Sequence, residues 1–253
     1  MMLKDNFKSG FIPRVLIKNP ATFEMLERVY LKNGESELDN YFINSLSGQA
    51  LRDRLDAVIN HGVINILQLT AQDNFKIVNC GCGTSRDLVA IMSHLRDQNI
   101  QLENIINVDC VDVDVDALAV ARELVMQENL TKNFNLINKN FLSLNYYHNV
   151  KMAFVIGVLC SLPHNRCVAL LKKLKKYFAK DCIVVVSNVS TTMREQDPDM
   201  AYSLKEIIGW NLVYKTIDEL KCILKAAGYK WLGCFYDEPL RFHAMGIATP
   251  IDL

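Results

Sequence analysis

"FKIVNCGCGTSRDLVAI", Phe75 to Ile91, decides the fold. Apolar residues at Phe75, Ile77 and Val78 read as a buried strand, Gly81-Cys82-Gly83 as a tight turn, and the periodic run 88–95 as a helix. Strand, glycine turn and helix N-terminus in that order set backbone N–H groups beside a bound ligand. Glycine at 81 and 83 lets the chain turn sharply and a ligand approach without Cβ interference. The third glycine of G-x-G-x-x-G is missing, because Arg86 stands three residues after Gly83. A dinucleotide pyrophosphate cradle is therefore disfavoured.

Downstream, strands and helices alternate. "NIINVDCV" reads as a strand, "DALAVARELVMQE" as a helix, "NFNLINKNF" as a strand, "VKMAFVIGVL" as a buried strand and "NRCVALLKKLKKYFA" as a helix with lysines on its wet face. "DCIVVVSNV" is a further apolar strand. After a polar stretch with Pro198 come the helix "TIDELKCILKAAG" and two strands, "YKWLGCFYD" and "RFHAMGIAT". Continuous apolar strands alternating with helices predict an α/β fold, a Rossmann-like, doubly wound, mostly parallel sheet with helices on both faces.

Upstream, Pro13 and Pro20 predict irregular chain up to about residue 20. "ATFEMLERVYLK" has helical spacing, a second segment starts near Glu35, and "SGQALRDRLDAVINHGVINILQLTAQ" is a long helix with a kink or break expected at Gly62. The expected organisation is an N-terminal helical cap or lid over residues 1–72 and a cofactor-binding domain over residues 73–253.

Lys and Arg number 28, as do Asp and Glu, so the formal charge is zero and offers no global field for nucleic acid or a membrane surface. No apolar run approaches the roughly 18 residues of a membrane span, so no stable membrane insertion is expected. The first twenty residues lack a continuous apolar core and a small-residue cleavage site. With eight cysteines scattered over a long chain, the expectation is reduced thiols and a cytoplasmic protein. No Cys/His cluster has zinc spacing, and no metal is expected. The sequence leaves an oligomer open.

Two further constellations accompany the glycine turn. "DVDVDALAVAR" places Asp112, Asp114 and Asp116 at the end of the second strand. A carboxylate at that tip sits beside the first glycine turn and can accept both hydroxyls of a ribose. Asp112 is the choice, with Asp109 the alternative; Asp114 and Asp116 suit a helix first turn. After the third strand, Asn140 can bond the exocyclic amine of an adenine and Phe141 can cover its ring, or the pair can be a turn residue and a core aromatic.

Taken together, the chain resembles class I S-adenosylmethionine-dependent methyltransferases. "VNCGCGTSRDL" is similar to their first motif, hydrophobic-x-x-G-x-G-x-G, with Ser85 at the third glycine. "VDVDVDALAVAR" resembles their D-x-D-P-x-A-L-x-x-A-R stretch with Val115 at the proline, and Asn140-Phe141 takes the place of an Asp-Phe adenine contact. "FVIGVLCSLP" resembles the fourth-strand motif that lines the transfer site. The resemblance implies S-adenosylmethionine as cofactor and S-adenosylhomocysteine as product. It implies a cofactor site of Gly81, Cys82, Gly83, Thr84, Ser85, Arg86, Asp87, Asp112, Val113, Asn140, Phe141 and Gly157.

A narrower resemblance covers nearly the whole chain. "SGQALRDRL", "NCGCGTSRDL", "GVLCSLPHNRCVALLKKL", "VSNVS" and "IIGWNLVYKTIDEL" follow a bacterial group that includes enzymes resembling those that form 3-hydroxy fatty acid methyl esters. Gly209, Lys215 and Cys160-Ser161 depart from it. It implies O-methylation of a carboxylic (fatty) acid or related small molecule, with the N-terminal helices as lid. A carboxylate acceptor is already a nucleophile, so positioning donors suffice. Arg52, Arg54, Lys215, Tyr214 and Trp210 are candidates, and His164 is a candidate base for a hydroxyl or amine acceptor. N- or C-methylation of a secondary metabolite, or cofactor binding without turnover, stand as alternatives. "GVLCSLP" lacks the Asn/Asp-Pro-Pro-Tyr signature of base-amino methyltransferases, against a nucleic-acid substrate.

Overall fold

The computed structural model describes residues 10–20, 22–69, 74–100, 102, 106–144 and 150–251. Among the described residues four helices precede the first strand: α1 (Phe11–Lys18), α2 (Phe23–Leu31), α3 (Glu37–Asn44) and α4 (Leu46–Leu69). Strands and helices then alternate through β1 (Phe75–Cys80), α5 (Arg86–Asp97), β2 (Ile106–Asp112), α6 (Val115–Gln127), β3 (Phe134–Asn138), β4 (Val150–Val155), α7 (His164–Lys175) and β5 (Phe178–Val189). The tail adds α8 (Thr191–Gln196), α9 (Pro198–Tyr202), a π-helical turn (Ser203–Ile208), α10 (Ile217–Ala226), β6 (Tyr229–Tyr236) and β7 (His243–Pro250).

The seven strands form one sheet in the order β3-β2-β1-β4-β5-β7-β6. β3 through β5 run parallel, and β7 pairs antiparallel with both β5 and β6. Strand order reverses between β1 and β4, so a crevice opens above their C-terminal ends, where ligands of such sheets bind. Alternation along β1 feeds two cores. Val78 and Cys80 join Val111, Leu171, Leu174, Val184 and Leu220 on one face, while Ile77 joins Leu88, Ile91, Met92, Val108 and Phe154 on the other. Burial on both faces explains why these strands read as near-continuous apolar runs.

A third core lies over the crevice. Ile12, Leu16, Met25, Val29, Phe42 and Ile43 from the N-terminal helices pack with Val189 at the end of β5, Met193, Met200, Leu204 and Phe242. The second half of α4 instead joins the sheet, with Val58, Val63, Ile66 and Leu69 in the core that holds Leu88 and Ile91. Asp39 stitches this layer together. It completes a capping box with Ser36, and its Oδ1 accepts the Ile12 N–H at 2.7 Å.

Two sequence expectations fail here. Residues 11–18 form α1 and are not irregular, because Pro13 lies in the first turn, where a helix needs no N–H partner, and Ile12 and Leu16 are buried four residues apart. α4 runs unbroken through Gly62. A Cβ there would stand 2.4 Å from Ile91 Cδ1, so this glycine serves the close approach of α4 to α5. Among the described residues no helix is long and apolar enough to cross a membrane. All eight cysteines are free thiols.

Candidate active site

The turn after β1 is built by backbone hydrogen bonds before any side chain acts. The N–H groups of Gly81 and Cys82 both donate to Val111 O, at 2.9 and 3.2 Å, which ties the turn to the end of β2. Gly81 has φ +71°, and a Cβ on it would meet Val158 Cγ2 at 3.0 Å. Gly83 has φ +52° with nothing within 4 Å of where its Cβ would stand, so the space above it is open to a ligand.

Asp112 closes the turn from the β2 side. Its Oδ2 accepts the Gly83 N–H at 2.8 Å and its Oδ1 accepts the Asp114 N–H at 2.9 Å. Each oxygen keeps a further lone pair, so the carboxylate can still accept two hydroxyls. Ser85, at the third-glycine position, holds φ +51° and is buried; it accepts a hydrogen bond from Asn79 Nδ2 at 3.3 Å, and its Oγ lies 3.0 Å from Cys110 Sγ. Asn79 also reaches Asp87 Oδ1 at 3.3 Å. Burial pushes the Asp87 carboxyl above its usual 3.8, against the pull of the Leu88 N–H and of Arg54.

These residues line one wall of a cavity of about 240 Å³. Gly81, Cys82, Gly83, Thr84, Ser85, Arg86, Asp87, Asp112 and Gly157 all border it, and Trp210 borders its far side. The rest is mainly apolar, with Leu16, Met25, Leu26, Val29 and Phe42 from the N-terminal helices. Arg54 is the buried cation in this wall, 8% exposed, with Nη2 donating to the Tyr30 hydroxyl at 2.9 Å. Its Nη1 lies 3.9 Å from where a Gly157 Cβ would stand. Asp87, half-buried beside the turn, and the buried Arg54 offer a negative and a positive group, the complement of the ammonium and carboxylate of an amino acid.

Several expected residues lie elsewhere. Arg52 points away from the cavity, two residues from Arg54 and so about 200° round the helix; its Nη1 donates to Ile43 O at 2.8 Å and Val29 O at 3.3 Å and braces α2 and α3. His164 starts α7, half exposed, 3.6 Å from Glu219. Tyr214 does not border the cavity; the Arg194 guanidinium lies 5.7 Å from its ring centre, and burial raises the phenol above its ordinary value. Lys215 is fully buried, its Nζ donating to Leu159 O, Asn188 Oδ1 and Val213 O, so it holds the fold. Val113 is 68% exposed and outside the lining. Asn140 caps a 3-10 turn by accepting the Leu142 N–H, and Phe141 packs against the back of Gly81; neither borders the cavity.

Three side chains went unread in the sequence. Glu27 of α2 accepts from Thr84 Oγ1 at 2.7 Å and from Arg86, fastening α2 to the glycine turn. His243 borders the cavity at the start of β7, with Nδ1 2.8 Å from Asp237 Oδ2, and both are buried. No local motif marks these contacts, since each joins distant segments or the two ends of a loop.

The sheet order, the glycine turn and the carboxylate at the tip of β2 define a class I methyltransferase, the class that draws its methyl group from S-adenosylmethionine. The chain belongs to the methyltransferase domain family, whose model matches residues 71–228, more than half of its length. Solved structures support the fold. A possible exported protein from Bordetella parapertussis superposes with a TM-score of 0.77 at 16% identity, over 97% of this chain and 85% of that one. Magnesium protoporphyrin IX methyltransferase from Synechocystis PCC 6803, with bound S-adenosylhomocysteine, gives 0.66 at 13% identity over 90% and 94%. A Burkholderia thailandensis 1,6-didemethyltoxoflavin-N1-methyltransferase gives 0.55 at 14% identity over 78% and 79%.

Proposed function

We propose that this protein transfers the methyl group of S-adenosylmethionine to an oxygen of a small, largely apolar molecule. The observation that supports it is continuity: one cavity runs from the glycine turn and Asp112 to the apolar wall of the N-terminal helices. Donor and acceptor then share a space poor in water.

In this reading Asp112 accepts the ribose hydroxyls, the turn 81–85 lies under the methionine half, and Asp87 and Arg54 take its ammonium and carboxylate. When bound, the cofactor supplies an electrophilic methyl on a sulfonium sulfur. The chain's own residues position the acceptor behind that methyl and keep water out. Helices α1 to α3 with the first half of α4 act as the lid, and the second half of α4 belongs to the transferring domain whose core it joins. The apolar side, with Leu16, Met25, Leu26 and Phe42, suits the carboxylic (fatty) acid class that the sequence resemblance implies. The test is transfer from methyl-labelled S-adenosylmethionine to a panel of apolar carboxylic acids, phenols and amines, read by mass spectrometry. Base-labile methyl esters or base-stable methyl ethers support the reading. Label on nitrogen or carbon only, or no label, overturns it.

A further inference from the structure

The cavity holds a second polar device beyond the turn, the pair Asp237 and His243. His243 pairs in register with Val189 at the C-terminal end of β5, and so stands on the sheet edge that carries Gly81 and Gly157. β7 is two strands from β4 in the sheet, so His243 lies about 10 Å beyond the end of β4 at a spacing of about 4.8 Å per strand. That is the acceptor side of a donor held between β1 and β4. Asp237 holds His243 twice: its Oδ1 accepts the backbone N–H at 2.6 Å, and its Oδ2 faces the ring at Nδ1 at 2.8 Å. An ionised carboxylate only accepts, so Nδ1 carries the proton and Nε2 carries a lone pair. Nε2 has no hydrogen-bond partner among the described residues, and His243 is one of the residues that line the cavity.

The charges facing this ring decide its state. Burial holds the imidazole below its ordinary 6.5; Asp237 pulls it up and Arg54 of α4 pushes it down. Asp53, one residue before Arg54, acts on Asp237, while Asp87 and Cys160 face Arg54. A neutral imidazole with a free Nε2 is a proton acceptor. A carboxylate acceptor needs none. Arg86 is engaged by Glu27, and in the reading above Arg54 is engaged by the cofactor. The acceptor end is then furnished for a neutral O–H group.

We propose that His243, positioned by Asp237, accepts the proton of a weakly acidic hydroxyl, a phenol or enol, on the methyl acceptor. This rests on the O-methyl-transfer reading and widens its acceptor class beyond carboxylic acids. The O–H bond breaks with its proton passing to Nε2. The electron pair left on oxygen forms the new bond to the methyl carbon, and the old carbon–sulfur pair leaves with the sulfonium sulfur.

The test uses the full chain with 4-octylphenol and octanoic acid as acceptors. Nitrogen-15 spectra of histidine-labelled wild type at pH 7 are expected to show Nε2 of His243 unprotonated, and to show it shifting when S-adenosylhomocysteine and 4-octylphenol are both added. Transfer to the phenol is expected to fall with pH below a single pKa under 6.5, and by about 100- to 10,000-fold in His243→Gln. S-adenosylhomocysteine affinity by calorimetry should stay within about twofold of wild type, the folding control. Asp237→Asn should lower the phenol rate and move the pH profile. A protonated Nε2 at pH 7, or equal phenol rates in wild type and His243→Gln, overturns the proposal. Transfer to octanoic acid alone overturns it and leaves O-methyl transfer standing. No transfer to any oxygen fells both.

Discussion

The Glu27 carboxylate accepts the Thr84 hydroxyl at 2.7 Å and so ties helix α2 directly to the turn after β1. The same carboxylate takes Arg86 from the start of α5, and the ion pair is partly buried, with side chains 13% and 24% exposed. Opening the roof of the cavity therefore breaks a bond to its floor. Thr84 and Arg86, candidates read as cofactor contacts, are thus also the residues that hold α2 to the turn.

Glu27→Ala removes an acceptor shared by three donor atoms. It should cost about 1–3 kcal/mol in stability, the range for hydrogen bonds to a charged group. Denaturant unfolding measures this. Limited proteolysis should cut the N-terminal helices faster. A variant matching wild type in both would show that the latch carries no weight.

Ser85→Gly tests the departure from the family motif. Left-handed backbone at φ +51° costs a non-glycine residue about 1–2 kcal/mol, which glycine recovers. The loss is the Asn79 hydrogen bond and the contact to Cys110, a similar amount of opposite sign. The expected net change is within about 1 kcal/mol, with S-adenosylhomocysteine affinity retained. A loss above about 2 kcal/mol would mean that the Ser85 hydroxyl is indispensable to the turn.

Asp39 carries the pH dependence of the N-terminal layer. Burial pushes its carboxyl up, but hydrogen bonds from Ile12, Ser36, Phe11 and Glu35 outweigh this and hold it below 3.8. A depressed folded value means that the contribution is complete above about pH 4 and is lost as pH falls through the folded pKa. Asp39→Asn should cost about 1–3 kcal/mol at pH 7. The gap to wild type should shrink toward pH 3, as followed by urea unfolding at both values. A gap that is constant with pH would contradict the assignment.

The parallel sheet was legible because β1, β2, β4 and β5 are largely buried, which leaves an apolar signature in each run, whereas β3, at the sheet edge, is only half-buried to exposed. The place of Asp112 beside the glycine turn was legible because strand tip and turn are fixed by topology; its bond to the Gly83 N–H was not, and its part in holding a ribose rests on the proposal above. Side-chain direction on the long helix was not. Arg52 and Arg54 look alike in sequence, yet a two-residue step turns one to the roof brace and the other to the cavity. Lys215 looked like a substrate cation and is a buried structural ammonium with three acceptors. His243 and Asp237 were invisible because their pairing depends on how the 237–242 loop folds between two antiparallel strands. Pro13 misled through its usual meaning, a break, although the first turn of a helix accepts it.

The central claim is that the turn after β1 and the carboxylate at the tip of β2 form one cofactor cradle. Calorimetric titration of S-adenosylhomocysteine into wild type and Asp112→Ala in parallel tests it most directly. A single site is expected in the wild type, with binding weaker by about 1–3 kcal/mol, roughly 5- to 150-fold, in the variant. No binding by the wild type, or equal affinity in the two proteins, would contradict it.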